Sequence, residues 1–444
     1  MIKPTVTLPP KASESIEITD EFKRAMEILE VSGESAFITG RAGTGKSTLL
    51  RHFIAHTKRN VVVVAPTGIA AIHVGGQTIH SFFQLPPRVV EKIDVKRLQK
   101  KQRLIDKLDT LVIDEISMVR ADLLDAVDAS LRLNRNKPEL PFGGVQVVCF
   151  GDLLQLPPVV HEDLREYFSH AYQTQYFFSA RVFEELRWQR IELTKNYRQG
   201  KDPGFFDLLS RIGRNQTTDA DLVELNKRLL GERLSHDKET ITLTARNVDA
   251  SAINNKRLME LPGAPITYEA TVSGEFDDAS FPTDYRLTLK PGAQVMLIRN
   301  DPNKQWVNGD IGRIERCQSG RLSVRIKGRL LNVSPITWEK YRYAYHSQEG
   351  RIAQEVIGSF EQLPIKLAWA ITIHKSQGQT LKGVVVDIGD GAFAHGQVYV
   401  ALSRCESMDE LWLRRPINRS DIIFDDRVLA FQDRAQPAPP ATAL

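Results

Sequence analysis

The chain has 444 residues, enough for about three domains of ~150 residues. Its 42% hydrophobic and 26% charged residues, with Lys+Arg 59 against Asp+Glu 55 for a net +4, exclude a disordered, collagenous or disulfide-stapled protein. No apolar run nears the ~20 residues that span a bilayer, and Cys149, Cys317 and Cys405 stand too far apart for metal or redox spacing, so they read as free thiols.

Residues 1–15, with three prolines, read as a loose leader without an export or organelle signal, which implies a cytoplasmic protein, nucleoid-associated in a bacterium. A helical pattern opens at Ile18-Thr19-Asp20-Glu21 and runs to about Leu29. Strand-like and helix-like runs then alternate: Ala36–Thr39, Lys46–Ala55, Val61–Ala65, Thr110–Asp114, Leu123–Leu133 and Val145–Phe150. Such alternation predicts a parallel sheet covered by helices on both faces, with ligands at the carboxyl ends of the strands. From 264 to 351 the texture changes to short alternating strands, Tyr285–Leu289, Gln294–Ile298, Gly312–Arg316, Leu322–Ile326 and Leu330–Val333, which predicts a small β-barrel. Helix and parallel-strand texture returns with Leu367–Thr372, Val384–Ile388 and Val398–Ser403. The Ala- and Pro-rich 435–444 reads as a disordered tail.

Gly40-Arg41-Ala42-Gly43-Thr44-Gly45-Lys46-Ser47 fits G-x-x-x-x-G-K-[ST] between a strand and a helix. Glycines there let backbone N–H groups turn around phosphate oxygens, and the helix N-terminus adds positive potential. Lys46 is placed for the β/γ-phosphates and Ser47 for Mg²⁺; Gly40, Ala42, Gly43, Thr44, Gly45 and Thr48 complete the cradle. The apolar run Leu111-Val112-Ile113 delivers Asp114 and Glu115 at a strand end, Asp114 for Mg²⁺ and Glu115 to deprotonate the attacking water. A carboxylate that can activate water points to hydrolysis over kinase-type transfer.

The further blocks occur in order. Ala65-Pro66-Thr67-Gly68 with Gly76–Phe83, Gly151–Val159, Leu193–Gln199, Ile371–Gly378 and Val398–Arg404 resemble the motifs of superfamily-one helicases. The stretch from Leu124–Asp128 through Pro141–Gln146 is similar to the signature of the Pif (petite integration frequency) DNA helicases, which separates them from the related RecD-type helicases. This resemblance implies an α/β fold of two RecA-like P-loop domains with an SH3-like β-barrel inserted in the second. The expected units are a first domain over 16–190 carrying a wedge-like insertion at 84–107, a second over 191–263 and 352–434, and the barrel over 264–351.

The resemblance further implies that Gln155 senses the γ-phosphate, that Arg198 and Arg404 reach it from the second domain, and that Gln377 and Gly378 couple DNA to the cleft. Pro66, Thr67, Gly68, His80, Phe82, Phe83 and Pro157 would line the DNA track on the first domain, and Thr372, His374 and Lys375 on the second. Phe82-Phe83 reads either as a base-stacking pair or as core, His80 either as a DNA contact or as a structural histidine. The Lys- and Arg-rich insertion reads either as a wedge at the fork or as an exposed basic helix, and the barrel either as a guide for the strand or as purely structural. Family members often read adenine with a glutamine before the first helix; Ile18–Ala25 contains none, which leaves base selectivity open. The implied function is a monomeric helicase moving 5′-to-3′ on single-stranded DNA and opening forked or structured DNA with ATP and Mg²⁺, away from membranes. The alternatives are a nucleic-acid-stimulated ATPase that remodels protein–DNA complexes or RNA–DNA hybrids, and a RecD-type helicase.

Overall fold

A computed structural model describes residues 17–160, 164–197, 202–230, 240–318, 321–346 and 349–434. The expected leader and tail lie outside the described residues, as does Arg198.

Strands β1 (Ala36–Gly40), β2 (Val61–Ala65), β3 (Gln77–Thr78), β4 (Thr110–Ile113), β5 (Gln146–Gly151) and β6 (Gln189–Leu193) form a parallel sheet in the order β3-β2-β4-β5-β1-β6. Successive side chains alternate between its two faces. Phe37, Val62, Val64, Leu111, Ile113, Val147 and Cys149 enter one core, while Ala36, Ile38, Val63, Val112, Val148 and Phe150 enter another with Phe22, Leu49, Leu50 and Phe53. A sheet covered on both faces explains why these strands read as continuous apolar runs. The order changes direction around β1, so the loop after β1 opens into the crevice where such sheets bind ligands.

Strand β7 (Ile241–Thr244) begins a second parallel sheet. The chain then leaves for a β-module: β8 (Ile266–Glu269), β9 (Thr271–Gly274), β10 (Arg286–Leu289), β11 (Gln294–Leu297), β12 (Ile311–Gln318), β13 (Arg321–Ile326), β14 (Arg329–Val333), β15 (Ile336–His346), β16 (Arg351–Gln362) and β17 (Ile365–Leu367). Within it β14-β13-β12-β11-β17 form one antiparallel sheet over a core of Leu287, Val295, Leu297, Ile314, Leu322, Val324 and Trp306. The second parallel sheet is completed as β18-β7-β19-β20 by β18 (Ala370–Thr372), β19 (Val384–Asp387) and β20 (Leu411–Leu413).

Three expected boundaries move. The break at 190/191 falls inside β6, which pairs with β1 and therefore belongs to the first sheet. The break at 351/352 falls inside the β15–β16 hairpin, and β17 still pairs with β11, so the module runs to Leu367. The helix Asp426–Arg434 leaves the second domain: Val428 is buried in the first domain's core, and Phe431 stacks on Phe178 at 4.4 Å.

The hairpin also closes an open edge. β3 pairs with β2 only at Val64 and Ala65, leaving the Val63 N–H without a strand partner. The Tyr343 hydroxyl accepts from that N–H at 3.0 Å, and Gln77 Nε2 donates to the Tyr341 carbonyl at 2.8 Å. Among the described residues no helix is long and apolar enough to cross a membrane.

A nucleotide cleft between two parallel-sheet domains

Between the domains lies a cleft of about 1170 Å³ whose lining includes Lys46, Ser47, Asp114, Glu115, Gln155, Gln377 and Arg404. The loop after β1 turns because Gly43 and Gly45 adopt φ of 87° and 91°, where a side chain would be strained. Gly45 then opens the helix Lys46–His56. At Gly40 a Cβ would sit 2.7 Å from the Leu193 carbonyl, so only glycine fits. The segment after β6 clamps the loop: Asn196 Nδ2 donates to the Ala42 carbonyl and the Tyr197 N–H to the Gly43 carbonyl, both at 3.1 Å. Lys46 Nζ is folded onto the loop's own carbonyls, those of Gly40 and Arg41.

Opposite the loop, Asp114 and Glu115 sit at the end of β4. Glu115 holds φ 51°, a left-handed backbone unusual for a residue with a side chain and a cost the surrounding fold must offset. Burial raises the Asp114 pKa, and the neighbouring Glu115 charge raises it further. Burial raises that of Glu115 as well, against the opposing pull of the Lys46 ammonium. From the second domain, Gln377 Nε2 donates to Glu115 Oε2 at 3.3 Å, a contact that joins the two walls. Arg404 is almost completely buried; Nε donates to the Val400 carbonyl at 2.8 Å, and Nη1 to those of Ser376 and Gln379 at 3.1 Å each. Its charge counts among those that lower the Glu115 pKa.

Two residues that the motifs do not single out, Asp152 and Tyr399, join this wall of the cleft. Gln155 Nε2 donates to buried Asp152 Oδ2 at 3.0 Å, and the Tyr399 hydroxyl of the second domain approaches the same oxygen at 3.5 Å. Both stand inside recognised blocks, and Asp152 precedes Gln155 by three residues; that spacing was the available signal.

The donor set suits a magnesium nucleotide. Two buried carboxylates side by side favour a cation, and Gln155 Oε1 and Gln377 Oε1 are buried acceptors with no partner. Among the described residues no cluster of three or more His, Cys, Asp or Glu side chains forms a metal site. Ser47 and Asp114 both line the cleft and are the residues that would hold Mg²⁺.

The expected DNA track divides. Thr67, His374 and Lys375 line the cleft. Pro66, Gly68 and Pro157 are half-buried. Thr372 is buried and its hydroxyl caps the Lys375 N–H at 3.3 Å. Half-buried His80 has its Nδ1 without a partner. Phe82 and Phe83 are 0% and 2% exposed and pack edge to face within the first core, so the base-stacking expectation is corrected. In the short helix Ile79–Phe83 the core claims the apolar positions, as burial of ~150–250 Å² per ring would dictate. The insertion is not an exposed basic helix either. Leu85, Val90, Leu98, Leu104 and Ile105 are buried in the first domain, and Lys101 lies under the Phe82 ring with Nζ donating to the Phe82 carbonyl at 2.6 Å.

Comparison with known proteins gives the same reading. A PIF1-like helicase family model matches residues 17–221. The "ATP-dependent DNA helicase Pif1" of Bdellovibrio bacteriovorus is 35% identical over 94% of this chain and 92% of its own length. Bacteroides sp Pif1 in complex with ADP-AlF4 is 36% identical with a TM-score of 0.87, covering 94% of this chain and 97% of that one. Bacteroides Pif1 bound to ssDNA, at 37% identity and the same coverages, gives 0.68. With the phosphate loop, paired carboxylates and second-domain arginine in one cleft, and with relatives aligned over nearly their whole length, this chain belongs to the PIF1-like helicase family.

Proposed function

We propose that the protein is an ATP-dependent DNA helicase that moves 5′-to-3′ on single-stranded DNA and opens forked or structured duplexes, acting as a monomer in the cytoplasm. One observation carries the reading: Glu115 at the end of a first-domain strand is hydrogen-bonded by Gln377 of the second domain, beside Lys46 and Arg404 in the same cleft. Lys46 leaves the loop carbonyls to hold phosphate oxygens. Glu115 takes the proton of the attacking water, oriented by Gln377 on one side and Gln155 on the other. Arg404, from the opposite wall, stabilises charge developing on the transferred phosphoryl group. Ser47 and Asp114 would hold Mg²⁺, whose chemistry there is to neutralise phosphate charge. Because base and arginine come from different domains, the cleft must be closed for hydrolysis, and product release removes the reason to close. The directional polarity rests on family membership.

Strand separation costs roughly 1.4 kcal/mol per base-pair step, which a nucleotide cycle supplies and binding alone does not. The test is unwinding of 5′-tailed and 3′-tailed duplexes with and without ATP and Mg²⁺. Unwinding of the 5′-tailed substrate alone, dependent on both, is expected; ATP hydrolysis without unwinding of either would replace the helicase reading by a remodelling ATPase. Glu115→Gln should bind ATP yet lose roughly 10²–10⁴-fold in turnover. Equal turnover discards the assigned base.

A further inference from the structure

Charge is distributed unevenly along the chain. Residues 311–333 hold six Lys or Arg against one carboxylate, a local +5 in a protein of +4. The insertion at 84–107 holds another +5, so the rest of the molecule is net −6. Five of the six lie on β12–β14, whose inner face is filled by Ile314, Leu322, Val324 and Ile326, while Lys327 sits in the turn between β13 and β14, paired with Asp310 at 2.8 Å.

The outer face is built by a bulge. Residues three apart on an unbroken strand point to opposite sides. Between Ile314 and Arg316 the register of β12 against β13 shifts, so that Arg313 lies opposite Arg325 and Arg316 opposite Ser323. Directly opposed residues share a face. The bulge thus brings Arg316 to the side that Arg313 already occupies, and Arg321, opposite Gln318, continues the row. Arg313, Arg316 and Arg321 are all exposed. Arg325 is paired with Glu315 at 2.7 Å. The side chains of Arg313, Arg316 and Arg321 have no ion-pair or hydrogen-bond partner among the described residues. From Arg321 to Arg325 the row extends about 13 Å, long enough to meet several phosphates of one strand.

We propose that this outer face is a second DNA site, one that holds the phosphate backbone of the duplex arm. The inference rests on the helicase reading above. Charge complementarity selects the occupant, and the composition of the face selects duplex over single strand. Single-strand platforms combine cations with exposed aromatic rings on which bases stack. This face presents guanidinium groups, the hydrogen-bonded Ser323–Asn332 pair and exposed Leu330, with no aromatic ring. Guanidinium forks suit phosphate oxygens, and contacts to those oxygens position a protein on a duplex. The face is also set apart from the single-strand track: the sheet is attached to the second domain through β11, where Gln294 Nε2 donates to the Thr240 and Ala368 carbonyls, and β13 and β14 lie two and three strands outward.

The experiment uses the full chain, with Arg313, Arg316 and Arg321 all changed to Glu, and separately all to Ala as the milder variant. Affinity is measured over a salt series for an oligothymidine tail and for the same tail joined to a hairpin duplex. A control triple, Lys58→Glu, Arg214→Glu and Lys256→Glu, makes the same charge change elsewhere. Wild type should bind the tailed duplex more tightly than the tail. Both arginine variants should bind the tail within about twofold of wild type and keep its tail-stimulated ATP hydrolysis, which also shows they are folded. They should lose about tenfold on the tailed duplex, with a salt dependence shallower by about 2–3 in log–log slope, near 0.9 for each phosphate no longer neutralised. The proposal is overturned if the duplex adds no affinity in wild type, if the arginine variants keep that increment, if they lose equally on the tail alone, or if the control triple loses as much. Absence of tail-stimulated hydrolysis in wild type would instead refute the helicase reading.

Discussion

Asn134→Ala tests how the insertion at 84–107 is held. Asn134 ends the helix Ala121–Asn134 and is completely buried. Its Oδ1 accepts the Leu98 N–H at 2.7 Å, and its Nδ2 donates to the Ser130 carbonyl at 2.8 Å and the Lys96 carbonyl at 3.3 Å. Truncation leaves the buried Leu98 N–H without an acceptor, at a cost of about 1–3 kcal/mol. Each ~1.4 kcal/mol is tenfold in an equilibrium, so local opening around residues 96–101 should rise roughly 5- to 140-fold. Hydrogen exchange of peptides covering 96–101 reads this directly, and trypsin cleavage at Lys96 or Arg97 reads it independently. Exchange in β1 and β4 should be unchanged, because the two core faces of the sheet do not depend on Asn134. Unaltered exchange at 96–101 in a folded variant would refute the reasoning: burial of Leu98, Leu104 and Ile105 would then hold the insertion without the asparagine.

Phe82→Ala should behave as a core truncation, costing about 3–5 kcal/mol; a thermal scan is expected to show a large loss, whereas an unchanged midpoint with weakened DNA binding would restore a stacking role. Tyr343→Phe leaves the Val63 N–H unpaired, so exchange at Val63 should accelerate by tenfold or more, with the two sheets' interiors unaffected. Asp221 is held down to about pKa 2, chiefly by its hydrogen bonds from Arg211 and then by the Thr218 N–H and hydroxyl. Its folded value lies below its unfolded one, so its contribution is complete above about pH 4 and is lost as pH falls toward 2; Asp221→Asn should flatten acid destabilisation in that window, as followed by circular dichroism.

The nucleotide loop was legible because everything it needs is contiguous: strand, glycines, Lys46 and helix follow one another, and local conformation fixes their geometry. The strand ending in Asp114 and Glu115 was legible for the same reason. Features made by distant segments were not. Asp152 gains its role from Gln155 and from Tyr399, which the chain brings from the other domain. The helix Asp426–Arg434 shows an apolar side, but nothing in its residues says that the aromatic cluster of Phe178 and Phe183 will receive it. The β15–β16 hairpin left a trace in Tyr341, Tyr343 and Tyr345, which recur at the period of a strand, yet its partner is the edge of a strand some 280 residues away. Phe82-Phe83 shows the converse failure: a motif block fixes which residues are present, while the surrounding packing decides which of them face DNA.

The turn after β18 is where DNA and nucleotide can act on each other. Lys375 is exposed along the cleft, and one position before it His374 lines the same space. Two positions after Lys375, Gln377 reaches Glu115. The carbonyls of Ser376 and Gln379 hold the Arg404 guanidinium, and the Ser376 hydroxyl donates back to the Ile373 carbonyl at 2.7 Å, tying the turn to itself. Six residues therefore carry the cation proposed to meet DNA, the partner of the proposed general base and the seat of the arginine proposed to meet the phosphoryl group. A displacement that moved one without the others would have to break bonds buried inside the turn, and leaving such groups unpaired costs about 1–3 kcal/mol each. The turn is therefore expected to move as a body. On the proposed reading, engagement of a phosphate by Lys375 and placement of Gln377 and Arg404 would be a single closure, with no longer relay through the domain needed to link strand and fuel.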